Sequence, residues 1–336
     1  MIQITETSLV IFATKSAQMN KSEALQNILQ SKYPIIQAGM VWCSGWRLAA
    51  ASCNAGAFGV IGAGSMYPEI LDEHLSKMRL NTNKRFAVNL PLMYPSIEEH
   101  IELIITHKVP VVITSAGSPS KYTGLLKEAG IKVMHLVSSV AHAIKAEQAG
   151  VDAVIAEGFE AGGHNGRDET TTFVLCPSVA EAVSIPLVAA GGIRDGRGIA
   201  AAFALGANGV QIGSRFVLSE ESSAHQAFKN LLRETDEGGT SLTLKELAPV
   251  RLIKNKFFED IMDAYKQGAD QSELRALLGR GRAKKGMFEG DLDDGELEIG
   301  QVAGYISEIL PAAEIVNSLV SEFNETLDKL GKTATW

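Results

Sequence analysis

Cysteine is scarce in this chain, and so are long apolar runs. The three cysteines, Cys43, Cys53 and Cys176, form neither a metal-ligand nor a disulfide spacing, which favours a reducing compartment such as the cytoplasm. No stretch approaches the roughly 18 consecutive apolar residues that a membrane-spanning helix needs. The sequence therefore predicts neither a disulfide scaffold nor a membrane protein.

Basic residues are too few for a protein whose main partner is nucleic acid. The 336 residues carry a formal net charge of −8, whereas binding to a phosphate backbone needs a concentrated excess of Lys and Arg. We therefore expect a small-molecule substrate. Whether the protein forms a homodimer is left open by the sequence.

Residues 1–18 fit none of the patterns that follow them. The apolar core of SLVIFATKSAQ is short and no basic residue precedes it, so it does not match a secretory signal. We expect residues 1–18 to be a disordered extension, with Met19 as the natural start.

The chain does contain eight short, β-rich apolar runs separated by helical patterns. Each run has about six or seven residues, a normal strand length, and most are continuously apolar, as in strands buried on both faces. Several intervening helical patterns, among them residues 97–107 and 140–149, end at a glycine that can close a helix. The predicted strands are Pro34–Met40, Phe58–Gly64, Phe86–Leu92, Val111–Gly117, Lys132–Ser138, Ala153–Gly158, Pro186–Gly192 and Gly209–Ser214.

Eight β/α units at this spacing predict an α/β fold of the (β/α)8 TIM-barrel type. We assign residues 19–239 and 300–330 to the barrel, and the charged segment 240–299 to a small helical lid inserted near the C-terminus. The alternative is an open doubly wound sheet, supported by Gly62 and Gly64, a fragment of a dinucleotide-binding fingerprint. The third glycine of that fingerprint is absent, since Tyr67 occupies its position.

Glycines cluster where a barrel commonly binds phosphate, after its last two strands. Gly191 and Gly192 would let main-chain N–H groups approach an anion, and the following helix would direct its positive end there. Gly213 and Ser214 add a second set of N–H groups and a hydroxyl. Turn formation is the alternative explanation for one glycine pair, but two pairs at these two positions favour a phosphate site.

Polar side chains at other strand ends could contact a flat heterocycle. Asn89 and Gln211 each offer a donor and an acceptor, although a turn-forming role is the simpler explanation of an Asn before Pro91. Glu157 could accept a hydrogen bond from a sugar-like hydroxyl or could hold a loop. Met40 could pack on a ring or in the core.

His164 lies in AEGFEAGGHNG, in the longest gap between consecutive predicted strands. Such a loop can reach over the barrel mouth, and an imidazole with a free pKa of about 6.5 can exchange a proton at neutral pH. The other six histidines fall mostly in helical or surface patterns and are interpreted as solvated or packed. We therefore predict His164 as the catalytic residue and no metal site.

The motifs PIIQAGM, AEGFEAGGHNG, AAGGIRDGRG and GANGVQIGSRF resemble those of the FMN-dependent nitronate monooxygenases, formerly called 2-nitropropane dioxygenases. That family includes the flavin-dependent enoyl-acyl carrier protein reductases. The resemblance implies non-covalent FMN and an active-site histidine at His164. The implied FMN contacts are Gly39, Met40, Asn89, Gly191, Gly192, Gln211, Gly213 and Ser214.

The two branches imply different reactions at one flavin. Oxidation of alkyl nitronates or nitroalkanes with O2 is our first expectation, with His164 taking the α-proton of a neutral substrate. The alternative is an enoyl-acyl carrier protein reductase using NADH or NADPH, toward which Glu157, Arg215 and the segment GQVAG lean. A non-flavin aldolase or isomerase is a more distant alternative, because Lys132 begins its strand at the wrong end for a Schiff base.

A basic cluster near the C-terminus could contact an acidic acyl carrier protein or a 2′-phosphate. A solvated helix end is the simpler interpretation of this cluster. The following stretch DLDDGELE, residues 291–298, is expected to be a solvated turn. The members of the basic cluster are Arg280, Arg282, Lys284 and Lys285.

Overall fold

The computed structural model describes residues 20–333. The predicted extension 1–18 and the start at Met19 lie outside these residues. Among residues 20–333, no helix is both long and apolar enough to cross a bilayer.

Eight parallel strands form one barrel, as predicted. Neighbouring strands pair in chain order, and the sheet closes where the N–H of Phe58 donates to the carbonyl of Ile35 (2.8 Å). The barrel strands are β1 (Ile35–Gln37), β2 (Val60–Gly62), β3 (Ala87–Pro91), β4 (Val111–Ser115), β5 (Lys132–Val137), β6 (Ala153–Glu157), β8 (Leu187–Ala190) and β9 (Gly209–Ile212). Strand β7 (Gly163–His164) lies outside the barrel sheet.

Helices connect successive barrel strands and cover the outside. In α4, Ile97, Ile101 and Ile104 are buried at helical spacing while Glu98 and Glu102 face outward. The helices that connect or cover the strands are α2 (Trp46–Asn54), α3 (Pro68–Asn81), α4 (Ile97–Thr106), α5 (Thr123–Glu128), α6 (Val140–Gln148), α7 (Thr172–Ala182), α8 (Gly196–Ala204) and α13 (Ala312–Thr333).

The helix α1, which covers residues 20–29, packs on the barrel interior. Its Leu25 and Leu29 are fully buried and join the cluster that includes Ile36, Phe58 and Val60. Gly209 is the first residue of β9, and a Cβ added to it would lie 2.8 Å from Leu25 Cδ2. Helix α1 therefore fills the end of the barrel opposite the carboxyl ends of the strands, which stay free for a site.

The segment 240–299 is not wholly helical, and this part of the prediction was wrong. Strands β10 (Thr240–Thr243) and β11 (Val250–Ile253) pair antiparallel, and β11 also pairs with β7. Between β9 and this sheet the chain forms α9 (Ser214–Val217) and α10 (Gln226–Glu234). Helices α11 (Lys256–Lys266) and α12 (Gln271–Leu278) follow, and residues 279–299, with a helical turn at Lys284–Phe288, complete the insert.

Candidate active site

All ten predicted site residues lie around one cavity of about 1470 Å³ at the carboxyl ends of the barrel strands. The cavity is bounded by the loops after the strands and by the insert. The predicted residues are Gly39, Met40, Asn89, Glu157, His164, Gly191, Gly192, Gln211, Gly213 and Ser214.

The floor after β1 is closely packed. A Cβ added to Gly39 would lie 2.4 Å from the Cβ of Asn89, and one added to Gly62 would lie 2.4 Å from the carbonyl oxygen of Met40. These distances leave no space for a side chain, so the loop carrying Met40 lies directly against β2 and β3. Glycine at these positions is therefore required for the packing of this loop, whose Gly39 and Met40 line the cavity.

Asn89 and Gln211 present amide groups to the cavity. Asn89 Nδ2 donates to the carbonyl of Ile113 (3.3 Å). Gln211 is 6% exposed, and its Oε1 has no hydrogen-bond partner among residues 20–333. A buried unpaired acceptor costs about 1–3 kcal/mol, so Gln211 Oε1 fits a ligand that brings its own N–H or O–H.

The rim after β8 has the backbone geometry expected of an anion site. Gly191 and Gly192 have φ of +89° and +70°, and a Cβ on Gly191 would lie 2.7 Å from the carbonyl oxygen of Gly158. Within residues 20–333, the N–H groups of these two glycines donate no hydrogen bond. Across the rim, the Ser214 hydroxyl accepts from the N–H of Gly300 (3.0 Å) and keeps its own proton to donate.

The helix after this rim does not offer its positive end, contrary to the prediction. Asp195 caps α8 by accepting from the N–H groups of Arg197 (3.0 Å) and Gly198 (3.1 Å). Glu322 of α13 accepts from the N–H of Gly196 (2.9 Å). Two carboxylates therefore occupy this N-terminus, and the anion site depends on the glycine N–H groups and Ser214.

His164 is held by the insert. It lies on β7, where it pairs with Val250 of β11, and its side chain is exposed toward the cavity. The next residue, Asn165, donates its N–H to the carbonyl of Pro249 (2.8 Å). Arg251 donates two hydrogen bonds, of 3.1 and 2.9 Å, to the carbonyl of Phe159, so both ends of the His164 loop are fixed to β11.

Glu157 ends β6 with its carboxyl group inside the cavity. Burial raises the pKa of Glu157 to about 8, so the group is protonated at pH 7. A protonated carboxyl can donate a hydrogen bond as well as accept one. Glu157 can therefore donate a hydrogen bond to a ligand, in addition to its predicted role as an acceptor from a ligand hydroxyl.

Two further carboxyl groups of the cavity, Glu296 and Glu298, were missed from the sequence, which assigned them to a solvated turn. Burial raises the pKa of both carboxyl groups above the usual range, and repulsion from the neighbouring Glu298 adds to the increase for Glu296. A signal exists, because Glu296 and Glu298 alternate with the buried Leu297 and Ile299. Because side chains in an extended segment alternate between two sides, one face of this segment points to the core and the other points to the cavity.

His135 was also missed, having been interpreted as solvated or packed. It lies on β5, lines the cavity and is 5% exposed. Its Nδ1 is 2.7 Å from the Thr114 hydroxyl, and burial lowers the pKa of His135 to about 4. A neutral imidazole therefore sits in the cavity wall, which the strand position alone could have suggested.

The basic cluster is paired with the turn that follows it. Lys285 forms ion pairs with Asp291 (3.0 Å) and Asp294 (2.8 Å). Arg282 donates to the carbonyl of Asp294 (2.7 Å) and covers the ring of Phe257. These local pairs leave little free positive charge here, in agreement with the simpler interpretation of a solvated helix end.

Comparison with known proteins places this architecture in a family. The model of the nitronate monooxygenase family matches residues 22–101 and 93–322. The chain belongs to the nitronate monooxygenase family. Its members are flavin-dependent oxidoreductases, and the enzyme is one of this class.

Three relatives illustrate the range of the family. FabK from Thermotoga maritima is 42% identical with a TM-score of 0.87, covering 92% of this chain and 98% of that one. A nitroalkane oxidase from Streptomyces ansochromogenes is 30% identical with a TM-score of 0.78, covering 91% and 99%. A curated Rhodococcus jostii protein, 30% identical and covering 92% and 97%, is named a 5-hydroxy-7a-methyl-1-oxo-octahydro-1H-indene-4-carboxyl-CoA dehydrogenase.

Proposed function

We propose that the protein binds FMN in this cavity and uses NADH or NADPH to reduce an α,β-unsaturated acyl thioester. The observation that carries the choice of branch is the 42% identity to FabK over nearly the whole of both chains. FabK is an enoyl-acyl carrier protein reductase, the alternative branch implied by the sequence motifs. The Rhodococcus relative, whose name specifies a CoA thioester, supports the same substrate class.

The residues around the cavity fit FMN. The unpaired N–H groups of Gly191 and Gly192, with Gly213 and the hydroxyl of Ser214, would hold the phosphate. The unpaired Oε1 of Gln211 and the amide of Asn89 would contact the ring edge. The close-packed floor at Gly39 and Met40 would support the ring face.

FMN supplies the hydride chemistry when bound, and the protein supplies placement and charge. His164 would donate a hydrogen bond from its ring to the thioester carbonyl oxygen, which polarises the conjugated double bond. Its attachment to β11 restricts the ring to positions over the cavity. Protonated Glu157 would donate a hydrogen bond without placing a negative charge beside the ligand.

The size of the cavity supports a second large ligand. Typical small-molecule sites occupy about 300–1,000 Å³, and this one measures about 1470 Å³. A flavin nucleotide with a small nitronate would leave much of that volume to water. A flavin with a nicotinamide dinucleotide or an acyl thioester would use it.

Nitronate oxidation is the second candidate, favoured by the family description and the nitroalkane oxidase relative. In that reaction His164 would take the α-proton of a neutral nitroalkane. The non-flavin aldolase or isomerase alternative finds no support among these relatives.

One preparation can decide between the two flavin reactions. NADH and NADPH oxidation would be measured with a crotonyl thioester, and oxygen consumption with propionate-3-nitronate, at equal enzyme concentration. We expect thioester-dependent nicotinamide oxidation to be the faster reaction. Efficient oxygen consumption with the nitronate and no thioester reduction would reject the reductase assignment.

A further inference from the structure

One arm of the cavity leaves the barrel mouth along α6. His142, Lys145 and Gln148 line it at intervals of three residues, so they form a single stripe about 9 Å long on the helix. Arg167, from the loop that carries His164, also lines the cavity. We call the arm lined by Ser138, His142, Lys145, Gln148 and Arg167 the α6 groove.

The His164 loop packs against the inner end of the α6 groove. A Cβ on Gly166 would lie 2.5 Å from the Cβ of Ser138 and 2.7 Å from its hydroxyl oxygen. Only glycine fits at this contact, so the loop comes within van der Waals distance of the start of α6. Arg167, the next residue, is thereby held beside the groove.

The positive charges in the α6 groove are not paired with carboxylates of the residues that line the groove. Within residues 20–333, neither Lys145 nor Arg167 forms an ion pair. Among the described residues, Arg167 donates to two acceptors, the carbonyls of Lys245 (3.2 Å) and Leu247 (2.9 Å). The segments 138–149 and 165–167 contribute no carboxylate to the cavity lining.

The cavity's carboxyl groups, Glu157, Glu160, Glu296 and Glu298, come from other segments. Glu160 accepts hydrogen bonds from the N–H and hydroxyl of Thr172, and Glu157 is protonated at pH 7 because burial raises its pKa to about 8. Glu147, on α6 itself, accepts from the N–H of Ser184 (2.8 Å) and does not line the cavity. The α6 groove is therefore a cationic arm on a chain of net charge −8.

His135 offers an uncharged acceptor where the groove meets the barrel. The Thr114 hydroxyl lies 2.7 Å from His135 Nδ1 and 3.3 Å from the carbonyl of Met134. When the hydroxyl proton is donated to that carbonyl, Nδ1 carries the imidazole proton and Nε2 is unprotonated. Nε2 can then accept a hydrogen bond from an amide N–H of a ligand.

We propose that the α6 groove binds the phosphate-bearing adenosine tail of the second substrate, with Lys145 and Arg167 contacting phosphate and His135 an amide further along. The proposal rests on the proposed function, since a small nitronate has no such tail. Two sources share this chemistry, the adenosine 2′-phosphate end of NADPH and the adenosine 3′-phosphate end of coenzyme A. Both molecules also carry amide groups toward their reactive ends.

The test is binding of two tail fragments to the flavin-loaded protein by titration calorimetry, without turnover. Adenosine 2′,5′-bisphosphate represents NADPH, adenosine 3′,5′-bisphosphate represents coenzyme A, and adenosine is the uncharged control. We expect at least one bisphosphate to bind more tightly than adenosine, and Lys145→Ala to weaken it about tenfold with adenosine unaffected. The preferred bisphosphate identifies the source.

Lys84→Ala is the matched control, because Lys84 is also exposed but lies outside the cavity. It should bind both fragments like the unmodified protein. The proposal is rejected if neither bisphosphate binds better than adenosine, or if Lys145→Ala binds both bisphosphates like the unmodified protein. Adding salt should weaken bisphosphate binding and leave adenosine binding nearly unchanged.

The outcome of the binding test does not depend on the outcome of the reaction assay. Bisphosphate binding that depends on Lys145, together with no thioester reduction, would keep the α6 groove as a nucleotide site and reject the proposed function. Thioester reduction with no bisphosphate binding would keep the proposed function and reject the groove.

Discussion

Replacing Glu157 with glutamine should change how stability depends on pH. The pKa of Glu157 is raised from 4.5 to about 8 by burial, so the folded state holds this proton more tightly than the unfolded state. The resulting stabilisation is full below pH 4.5 and is lost as pH rises through about 8. Glutamine has a similar shape and does not titrate, so Glu157→Gln should lack this loss.

The size of the effect follows from the pKa shift. With these two pKa values, the proton contributes about 3 kcal/mol at pH 6 and almost nothing at pH 9. Because the Glu157 side chain faces a cavity rather than solid protein, we expect the stabilisation lost between pH 6 and pH 9 to be about 1–3 kcal/mol. For a chain of this length, that corresponds to roughly 1–4 °C in melting temperature.

The assay is thermal unfolding of the flavin-free protein and Glu157→Gln at several pH values from 6 to 9. The other raised carboxyl groups, Glu296 and Glu298, are present in both proteins and cancel in the difference. The variant should gain in melting temperature relative to the unmodified protein as pH rises. A difference that stays constant with pH, or that moves in the opposite direction, would refute the assignment of a protonated Glu157.

Two other substitutions test separate parts of the cavity. His164→Ala should retain FMN, measured by flavin absorbance, and lose thioester turnover about 10²–10³-fold, because it removes the proposed hydrogen bond to the thioester carbonyl oxygen; unchanged turnover would remove His164 from the mechanism. Gln211→Leu removes the unpaired buried Oε1, so it should stabilise the flavin-free protein by up to about 1–3 kcal/mol and weaken FMN binding. Melting curves should show the variant to be more stable than the unmodified protein without FMN and to gain less stability when FMN is added. A variant that is less stable than the unmodified protein in the flavin-free form would contradict this expectation.

The barrel could be predicted because each of its strands can be recognised from the residues of that strand alone. Strand β4, for example, reads as a continuous apolar run, Val111 to Ile113, and is buried on both faces. Strand β11 could not be recognised in this way, since VRLI contains an arginine and stands among charged residues. Its burial depends on β7, about 90 residues earlier in the chain, and a two-residue strand has no periodicity of its own.

The site residues could be predicted where the backbone requires glycine. The prediction was less successful at the N-terminus of α8, where helix capping and anion binding compete for the same N–H groups. The positive φ at Gly191 and Gly192 matches the glycine pair in the sequence. The start of α8 was interpreted as an anion site, although Asp195 immediately before it is a preferred N-cap residue. The structure uses Asp195 as the cap, so a local capping signal outweighed the general expectation for a helix N-terminus.

The insert and the barrel together make the active site, although they are separated in sequence. The barrel supplies the glycine rim and the amide groups, but the position of His164 depends on Val250 and Arg251 of β11. Glu296 and Glu298 reach the cavity from the end of the same insert. Because the insert holds the histidine through β11 and carries both carboxyl groups, a change in its packing would move all three together, while the proposed FMN contacts on the barrel would stay in place.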